Sequence, residues 1–550
     1  MSKAKKANLL LILGPFLAFS LSWAQQKEGK NLTLEDCIIR AIKHNLGVAV
    51  EVFNPEMVGY SVSMAKEKFL PSLGLDYSER STRQASYSWL ESSEDVNAAR
   101  MQYSAELSQL IPTGGRLSLT LGTTRDETNK KFQLINPSYN SSLVFGFTQP
   151  LLKDFGFRTS RREILIAQNN LAISENDLKK TLLETVYTVE QAYWNLVFSI
   201  ETLKVRQQSL KLARDLHEKN QKEVDIGTLA PKEILSSQAE VAAREADILQ
   251  AEAQVKDQKD LLKTLINLPD EEAGADIIPI DQPSFEKRDQ SLEQALNLAK
   301  KNRPDLLSSE VTIKSRELDL GYAKNQLLPN LSLNAQYWSP GTSGEQLLYL
   351  DDNPSTGIII GRISRGASPA MKDAFQFKYK NWMVSLSLDI PLNTVVSRAA
   401  HSQARAGLEQ AVVRMKYLEQ NALLEIKTAL RAVETNYNRV NAYKLARELA
   451  EKKLEAEESK LKAGLSTNFV VLQYQRDLAN ARTAELKAII DYNLALSQLD
   501  RATGVSLSNR NIKLSDISSE AKENTKPGNS LPRAVESFTP QERKNSANDM

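Results

Sequence analysis

Apolar positions along this chain follow two rhythms, one close to 3.5 residues and one of two. The longest stretch of the first kind covers residues 161–267. Ile164, Leu171 and Leu178 stand seven apart, and a shifted register continues through Leu182, Val189, Leu196, Leu203 and Leu210, flanked by Val186, Tyr193 and Ile200. A seven-residue repeat keeps one seam of a helix turned towards a partner helix. No proline lies between Leu151 and Leu229 to interrupt it. Gly227 and Pro231 then supply a turn within 224–231, and a patterned return helix occupies 232–267. At about 1.5 Å per residue the outgoing helix is predicted to reach roughly 100 Å, too long for a globular domain and suited to a hairpin arm.

The period-two segments precede that arm. Leu73, Leu75 and Tyr77 alternate with Gly74, Asp76 and Ser78. Similar alternations centre on Tyr103, Ala105 and Leu107, on Leu117, Leu119 and Leu121, and on Leu143, Phe145 and Phe147. They predict strands of about nine residues with one apolar face and one polar or small face. Two of them, 101–109 and 116–124, flank the turn Pro112-Thr113-Gly114-Gly115. Ahead of the strands a helix is predicted from Thr33, a plausible N-cap, to about Phe69, ending at Pro71.

The whole pattern then recurs. Residues 65–75 align one for one with 323–333, and Ile390-Pro391-Leu392 echoes Gln149-Pro150-Leu151. The second copy predicts a helix over 292–326 and strands at 331–337 and 382–390, separated by a long Gly-, Ser- and Pro-rich loop. A long helix over 398–463, a turn at 464–468 and a return helix ending near Gly504 complete it. The chain is therefore a tandem duplication: a first unit at 32–267, a linker at 268–290, a second unit at 291–504 and a polar tail at 505–550, predicted to be disordered from residue 520. In each unit the two shorter helices, about 36 residues each, sum to the length of the long one. Two of them stacked end to end would flank it.

Targeting signals narrow the setting. Lys3, Lys5 and Lys6 precede an apolar run at 9–21, and Ser22-Trp23-Ala24 predicts cleavage of segment 1–24 as an export signal. That run is shorter than the ~20 residues a membrane helix needs, and no other segment qualifies. An exported chain without such a helix is either soluble or a β-barrel. Three observations favour the barrel: the export signal, strands long enough to cross a bilayer when tilted, and rows such as Trp382, Val384, Leu386 and Leu388 opposite Met383, Ser385, Ser387 and Asp389. Phe145 and Phe147 belong with the lipid-facing row. Four strands cannot close a pore, so several copies must share one barrel. The rival reading is a periplasmic or secreted coiled-coil adaptor or scaffold with a soluble β-domain.

Composition removes other classes. The 550 residues carry a formal charge of +2 with both signs mixed, so no basic face for nucleic acid is expected. Cys37 is the only cysteine, which rules out an intrachain disulfide and suggests a small buried hydrophobe. His44, His217 and His401 fall in separate predicted helices, without acidic or thiol partners at ligand spacing. No catalytic set, metal site or cofactor is expected, and the chain does not read as an enzyme. Lys- and Glu-rich stretches such as 447–462 read as solvated faces, with the mixed charge at 218–225 and 455–462 as candidates for interhelical pairs that hold a tunnel closed.

The duplicated Leu-Pro-x-Leu-x-Leu at 70–75 and 328–333, the Pro150-Leu151 and Pro391-Leu392 joints, and the turns at Gly227 and Gly464 resemble the TolC-like outer-membrane efflux protein family. The resemblance covers residues 32–504. It implies an α+β membrane protein: a homotrimer with a shared β-barrel in outer-membrane lipid of a Gram-negative cell, continuous with a long periplasmic helical coiled-coil barrel. It also implies the exit duct of a tripartite efflux or type I secretion system, docked on a periplasmic adaptor and an inner-membrane pump. The docking tips would be Gly227, Thr228, Leu229, Ala230 and Pro231 with Gly464, Leu465, Ser466, Thr467 and Asn468. The family's acidic entrance positions match uncharged Val470 and Gln473 here, and Glu233 after the first turn offers the only carboxylate. Strands 101–109 and 116–124 are additional. They either enlarge a trimeric barrel from twelve to eighteen strands or form an extracellular hairpin outside its wall.

Overall fold

The computed structural model describes residues 30–88, 91, 95–268 and 276–512. The export signal and the tail beyond 512 lie outside the described residues. A short strand β1 (Lys30–Leu32) leads into α1 (Leu34–His44) and α2 (Leu46–Glu67). Thr33 caps α1 through a reciprocal capping box with Asp36. Four strands follow: β2 (Ser72–Ala85), β3 (Asp95–Leu110), β4 (Arg116–Thr128) and β5 (Ile135–Pro150). After the one-turn α3 (Phe157–Ser160) come the long α4 (Arg162–Asp225), of 64 residues, and the returning α5 (Lys232–Ile266). The second unit opens with β6 (Ile277–Pro279), α6 (Leu292–Asn302) and α7 (Pro304–Asn325). Its sheet strands are β7 (Asn330–Tyr349), β8 (Ile359–Ile363) and β9 (Asn381–Asp389), with α8 (Ser368–Phe375) before β9. The second arm is α9 (Val395–Lys462), of 68 residues, and α10 (Asn468–Thr503), followed by α11 (Ser506–Asn509).

The helices form a slab four columns wide. In order across it stand α2 above α5, then α4, then α7 above α10, then α9. The stacked ends are joined by equivalent bonds in the two units. Asn45 Nδ2 donates to the Leu265 carbonyl at 3.0 Å, and Asn267 Nδ2 donates to the His44 carbonyl at 3.0 Å. In the second unit Arg303 Nη1 donates to the Ala502 carbonyl at 2.9 Å, and Gly504 packs on the backbone of Asn302. Asn267 and Gly504 both adopt the left-handed conformation that ends a helix. The core fills the middle of the slab, where Leu182, Val186, Val189, Tyr193 and Leu196 of α4 meet Cys37, Ile38, Leu262, Ile266, Ile277 and Ile490. Cys37 is fully buried there, and burial pushes its thiol up to about 12.

Several expectations are revised. The short helices expected to run unbroken to Phe69 and Gln326 divide at Asn45 and Arg303. Each of these residues adopts an extended conformation and ends one helix while opening the next. The linker is tied down in part: β6 pairs in parallel with β1, Lys30 opposite Ile277, and Asp281 accepts the Leu34 amide at 2.6 Å. Residues 505–512, expected as polar tail, pack on α4. Leu507 is buried, and Arg510 pairs with the buried Glu190. Most sheet strands run to 13–20 residues rather than nine, because their upper halves are polar on both faces and carry no period-two signal. Part of the long loop before β9 is ordered: β7 continues through it, β8 pairs with β7, and α8 lies against β7. Gly341 allows that contact, since a Cβ there would stand 2.0 Å from the Ala370 carbonyl oxygen.

Candidate conduit and docking surfaces

The sheet has the order β2-β3-β4-β5-β7-β9, antiparallel throughout, with β8 extending the upper part of β7's second edge. Register aligns the side chains into rows. Leu73 stands opposite Leu107, Leu107 opposite Leu119, Leu119 opposite Phe145, Phe145 opposite Tyr337, and Tyr337 opposite Trp382. One face therefore carries an apolar line across all six strands. Trp382, Val384, Leu386, Leu388 and Phe145 lie exposed on it, and Phe147 is half-buried. The opposite face carries Asp76, Ser104, Glu106, Ser118, Thr120, Ser142, Asn334, Ser385 and Ser387, with Val144, Trp338 and Met383 as apolar exceptions. Strand alternation sorts the two sets because successive side chains leave a strand on opposite sides.

Above the apolar line α8 rests on Ser339, Gly341 and Ser343, with Ala370 and Ala374 fully buried. Phe377, just past α8, stacks on Tyr337 at 5.5 Å and on Phe145 at 5.9 Å. The β3–β4 turn lies at the end of the sheet nearest the helices. The Gly156 amide donates to the Thr113 carbonyl at 3.0 Å, and the Thr113 hydroxyl donates to Gln149 Oε1 at 2.7 Å. The additional hairpin thus runs the full height of the sheet, and an outlying loop at its far end is not what is found.

At the other end of the slab the two tip turns share one construction. Gly227 and Gly464 take φ of +78° and +75°. The next amides, of Thr228 and Leu465, reach back to the carbonyls of Glu223 and Lys460 at 2.9 and 2.8 Å. This six-to-one closure needs a left-handed residue, which glycine adopts without a steric penalty. Thr228 Oγ1 adds a bond to the Glu223 carbonyl, and the Ser466 hydroxyl donates to Glu457 at 2.5 Å. A small core of Ala213, Leu216, Leu454, Val471, Leu472 and Leu478 holds both tips side by side. Leu229 is half-buried, whereas Thr228, Ala230, Pro231, Leu465 and Thr467 are exposed and Asn468 is buried. Of the entrance candidates, Glu233 and Val470 are half-buried and Gln473 is exposed.

Within the chain, three ion pairs near the tips are local to one helix. Lys222–Glu218, Lys219–Glu223 and Lys460–Glu457 join residues three or four apart on one helix. Helix geometry makes such neighbours easier partners than residues of another helix. Interhelical pairs lie further up. Arg214 pairs with Glu245, Arg206 with Asp247, Arg476 with Glu240, and Arg447 with Glu485. Arg244 lies buried among them, its ion pair within α5 and its other bonds crossing to neighbouring helices. It pairs with Glu240 at 2.9 Å and donates to the carbonyls of Ser209 and Leu472, tying α5, α4 and α10 together. His217 bonds to Ser237 at 2.8 Å across the first tip. Among the described residues no group of three His, Cys, Asp or Glu side chains is placed to hold a metal, and no helix is long and apolar enough to cross a membrane.

Both edges of the molecule are open. In the helical slab α2 exposes Leu46, Val50, Phe53, Met57, Tyr60 and Met64, and α9 exposes Val413, Tyr417, Leu424, Leu445 and Leu449. Steps of four and three residues on α2 are the spacing of a coiled-coil seam. In the sheet, among the described residues, β2 pairs only with β3, and β9 only with β7. Sequence reading located the tips through their glycines but missed these edge seams. The spacing on α2 was there to be read.

The described fold matches solved outer-membrane proteins. The outer-membrane channel OprN superposes with a TM-score of 0.61 at 17% identity, covering 86% of this chain and 89% of that one. The Campylobacter jejuni CmeC outer membrane channel gives 0.59 at 16% identity, over 94% and 98%. Among characterised sequences, nodulation protein T of Rhizobium leguminosarum bv. trifolii is 22% identical over 392 residues, 70% of this chain and 77% of that protein. The profile of the outer membrane efflux protein family matches residues 90–268 and 295–505, well over half the chain. The chain belongs to the outer membrane efflux protein family, the TolC-like channels of the Gram-negative outer membrane whose helices extend into the periplasm.

Proposed function

We propose that three copies of this chain assemble into one passive duct: a shared barrel in the outer membrane above a twelve-column helical tunnel in the periplasm. The observation that carries this reading is the pair of edges left uncovered among the described residues, one apolar helical seam and one open strand edge on each side. Inside the chain, the long α4 packs against the short α7 of the other unit. Duplication gives the long α9 and the short α2 the same complementary surfaces, which only a neighbouring copy can bring together. The apolar sheet face, with Trp382, Val384, Leu386, Leu388, Phe145 and Phe147, turns to lipid. The polar face lines the lumen. A soluble scaffold would leave that apolar face in water.

The tips at Gly227–Pro231 and Gly464–Asn468 would receive a periplasmic adaptor that couples the duct to an inner-membrane pump. This is the arrangement of a tripartite efflux or type I secretion system. Glu233, Val470 and Gln473 would stand near the entrance, with Glu233 the one carboxylate of the three. The test is to purify the protein from outer membranes, measure the mass of the protein part of the detergent complex, and record planar-bilayer conductance. A particle of three chains that opens ohmic channels is expected. A monodisperse single chain without conductance would overturn the reading.

A further inference from the structure

We propose that the barrel wall of the assembled duct contains eighteen strands, six from each copy, because β3 and β4 are part of the wall. The number eighteen rests on the three-copy duct proposed above; the six strands per chain do not. In the second unit, among the described residues, β7 and β9 are the strands that reach the end of the sheet nearest the helices, and they pair directly, Asn330 opposite Asp389. Their counterparts in the first unit are β2 and β5, by the matches of Ser72 with Asn330 and of Pro150 with Pro391. These two do not touch. The β3–β4 hairpin lies between them, paired with β2 from Ser72–Ser108 to Ala85–Asp95 and with β5 from Arg116–Thr148 to Asp126–Ser138.

Three features fit the inserted hairpin to a wall. Its side chains continue both faces: Tyr103, Leu107, Leu117, Leu119 and Leu121 on the apolar one, Ser104, Glu106, Ser118 and Thr120 on the polar one. Adding two strands leaves an even number, so β9 of one copy still meets β2 of the next in antiparallel sense, as closure requires. Applying the β5–β7 register, Pro150 opposite Ser332, to the equivalent edges brings Val384 of one copy opposite Ser81 of the next. The third feature is circumference. With strands ~4.8 Å apart and tilted ~40°, eighteen strands span about 110 Å and twelve about 75 Å. Twelve helix columns at roughly 9 Å spacing span about 110 Å. An eighteen-strand barrel therefore continues the helical cylinder at its own width, so the outer opening does not narrow the path.

Paired cysteines in the outer-membrane-inserted protein test this, and the buried Cys37 leaves a clean background. Residues directly opposite on antiparallel strands have Cα atoms about 4.5–5.5 Å apart, within disulfide range. L75C/A105C and L119C/F145C are expected to form intrachain bridges, and L75C/F145C none. Expulsion of the hairpin would reverse that result, because the β7–β9 register carried to the first unit sets Leu75 opposite Phe145. The reversal would overturn the widened wall and leave a three-copy duct intact. S81C/V384C is expected to give interchain dimers and trimers. Correct intrachain bridges without any interchain product, on a particle of single-chain mass, would overturn the duct and the count of eighteen with it. Strand counting in an electron cryo-microscopy map of the trimer provides the second measurement: eighteen supports the proposal and twelve refutes it.

Discussion

The sharpest prediction concerns Tyr193, which clamps the inter-unit linker to the slab. Its ring is fully buried and meets Trp194 edge to face at 5.4 Å. Its hydroxyl lies 2.9 Å from Asp281 Oδ2 and 3.2 Å from the Leu32 carbonyl, and it accepts the Asp281 amide at 3.2 Å. Burial raises the tyrosine above its ordinary value of 10, so it stays a protonated donor throughout the physiological range. Tyr193→Phe keeps the ring and deletes the hydroxyl. A hydrogen bond to a charged group contributes about 1.5–3 kcal/mol. Asp281 retains the Leu34 amide at 2.6 Å, so the loss falls towards the lower end, about 2 kcal/mol.

That energy acts locally. The β1–β6 pair holds three residues from each strand, and Tyr193 is the side chain that bonds to both β1 and Asp281 just past β6. About 2 kcal/mol corresponds to a roughly thirty-fold larger population of the opened linker. When opening and closing are fast relative to cleavage, the cutting rate follows that population. Limited proteolysis of detergent-purified protein, with cleavage inside 268–290 followed by mass spectrometry, should show a ten- to hundred-fold acceleration. Trimer mass should be unchanged. Cleavage of the variant at the parental rate would refute the clamp. Equal acceleration at the linker and at the arm tips would refute its local character.

Three further outcomes are expected. Gly464→Ala meets no atom within 4 Å yet must hold φ near +75°, at about 1–2 kcal/mol for a left-handed non-glycine residue; adaptor capture in a pull-down should fall several-fold while trimer mass and conductance persist. Leu386→Arg on the apolar face should lose about 2–4 kcal/mol if it sits near the bilayer midplane and so deplete heat-modifiable trimer in the outer membrane, whereas Ser385→Arg on the polar face should assemble normally; equal behaviour of the two would contradict the face assignment. Burial of Asp305 opposes its charge, but Arg303, bonded at 2.8 Å, outweighs burial and holds the carboxyl below its ordinary 3.8. A depressed carboxylate stabilises above its unfolded value and loses that contribution as pH falls through the folded one. Helical circular dichroism of the wild type should therefore decline below about pH 4 more steeply than that of Asp305→Asn.

Legibility in the sequence followed the range of the interaction that fixes each feature. The arm helices were readable because the seam of Leu182, Val189 and Leu196 repeats within one element, and the tips because Gly227 and Gly464 answer a local backbone demand. The break at 303 also had a local sign, Pro304 at the first helical position, but the role of Arg303 depends on Glu425 and Ala502, more than a hundred residues away. Likewise α8 lies in a stretch whose Gly and Ser content reads as loop, and it is seated by the approach of Gly341 to Ala370. The seam of Leu46, Val50, Phe53, Met57, Tyr60 and Met64 is a different case. Its spacing is as regular as any in the arms, yet the described residues leave it uncovered. A regular apolar seam implies a partner helix, and among the described residues every helix of matching length already stands in the four-column slab. On the three-copy duct proposed above, a second copy is that partner, since its α9 presents to α2 what α4 presents to α7. The same argument applies to β2 and β9. Strand number alone pointed to a shared barrel in the sequence, whereas the helical seam through which copies would meet became readable only once the fold had shown which apolar positions stay uncovered.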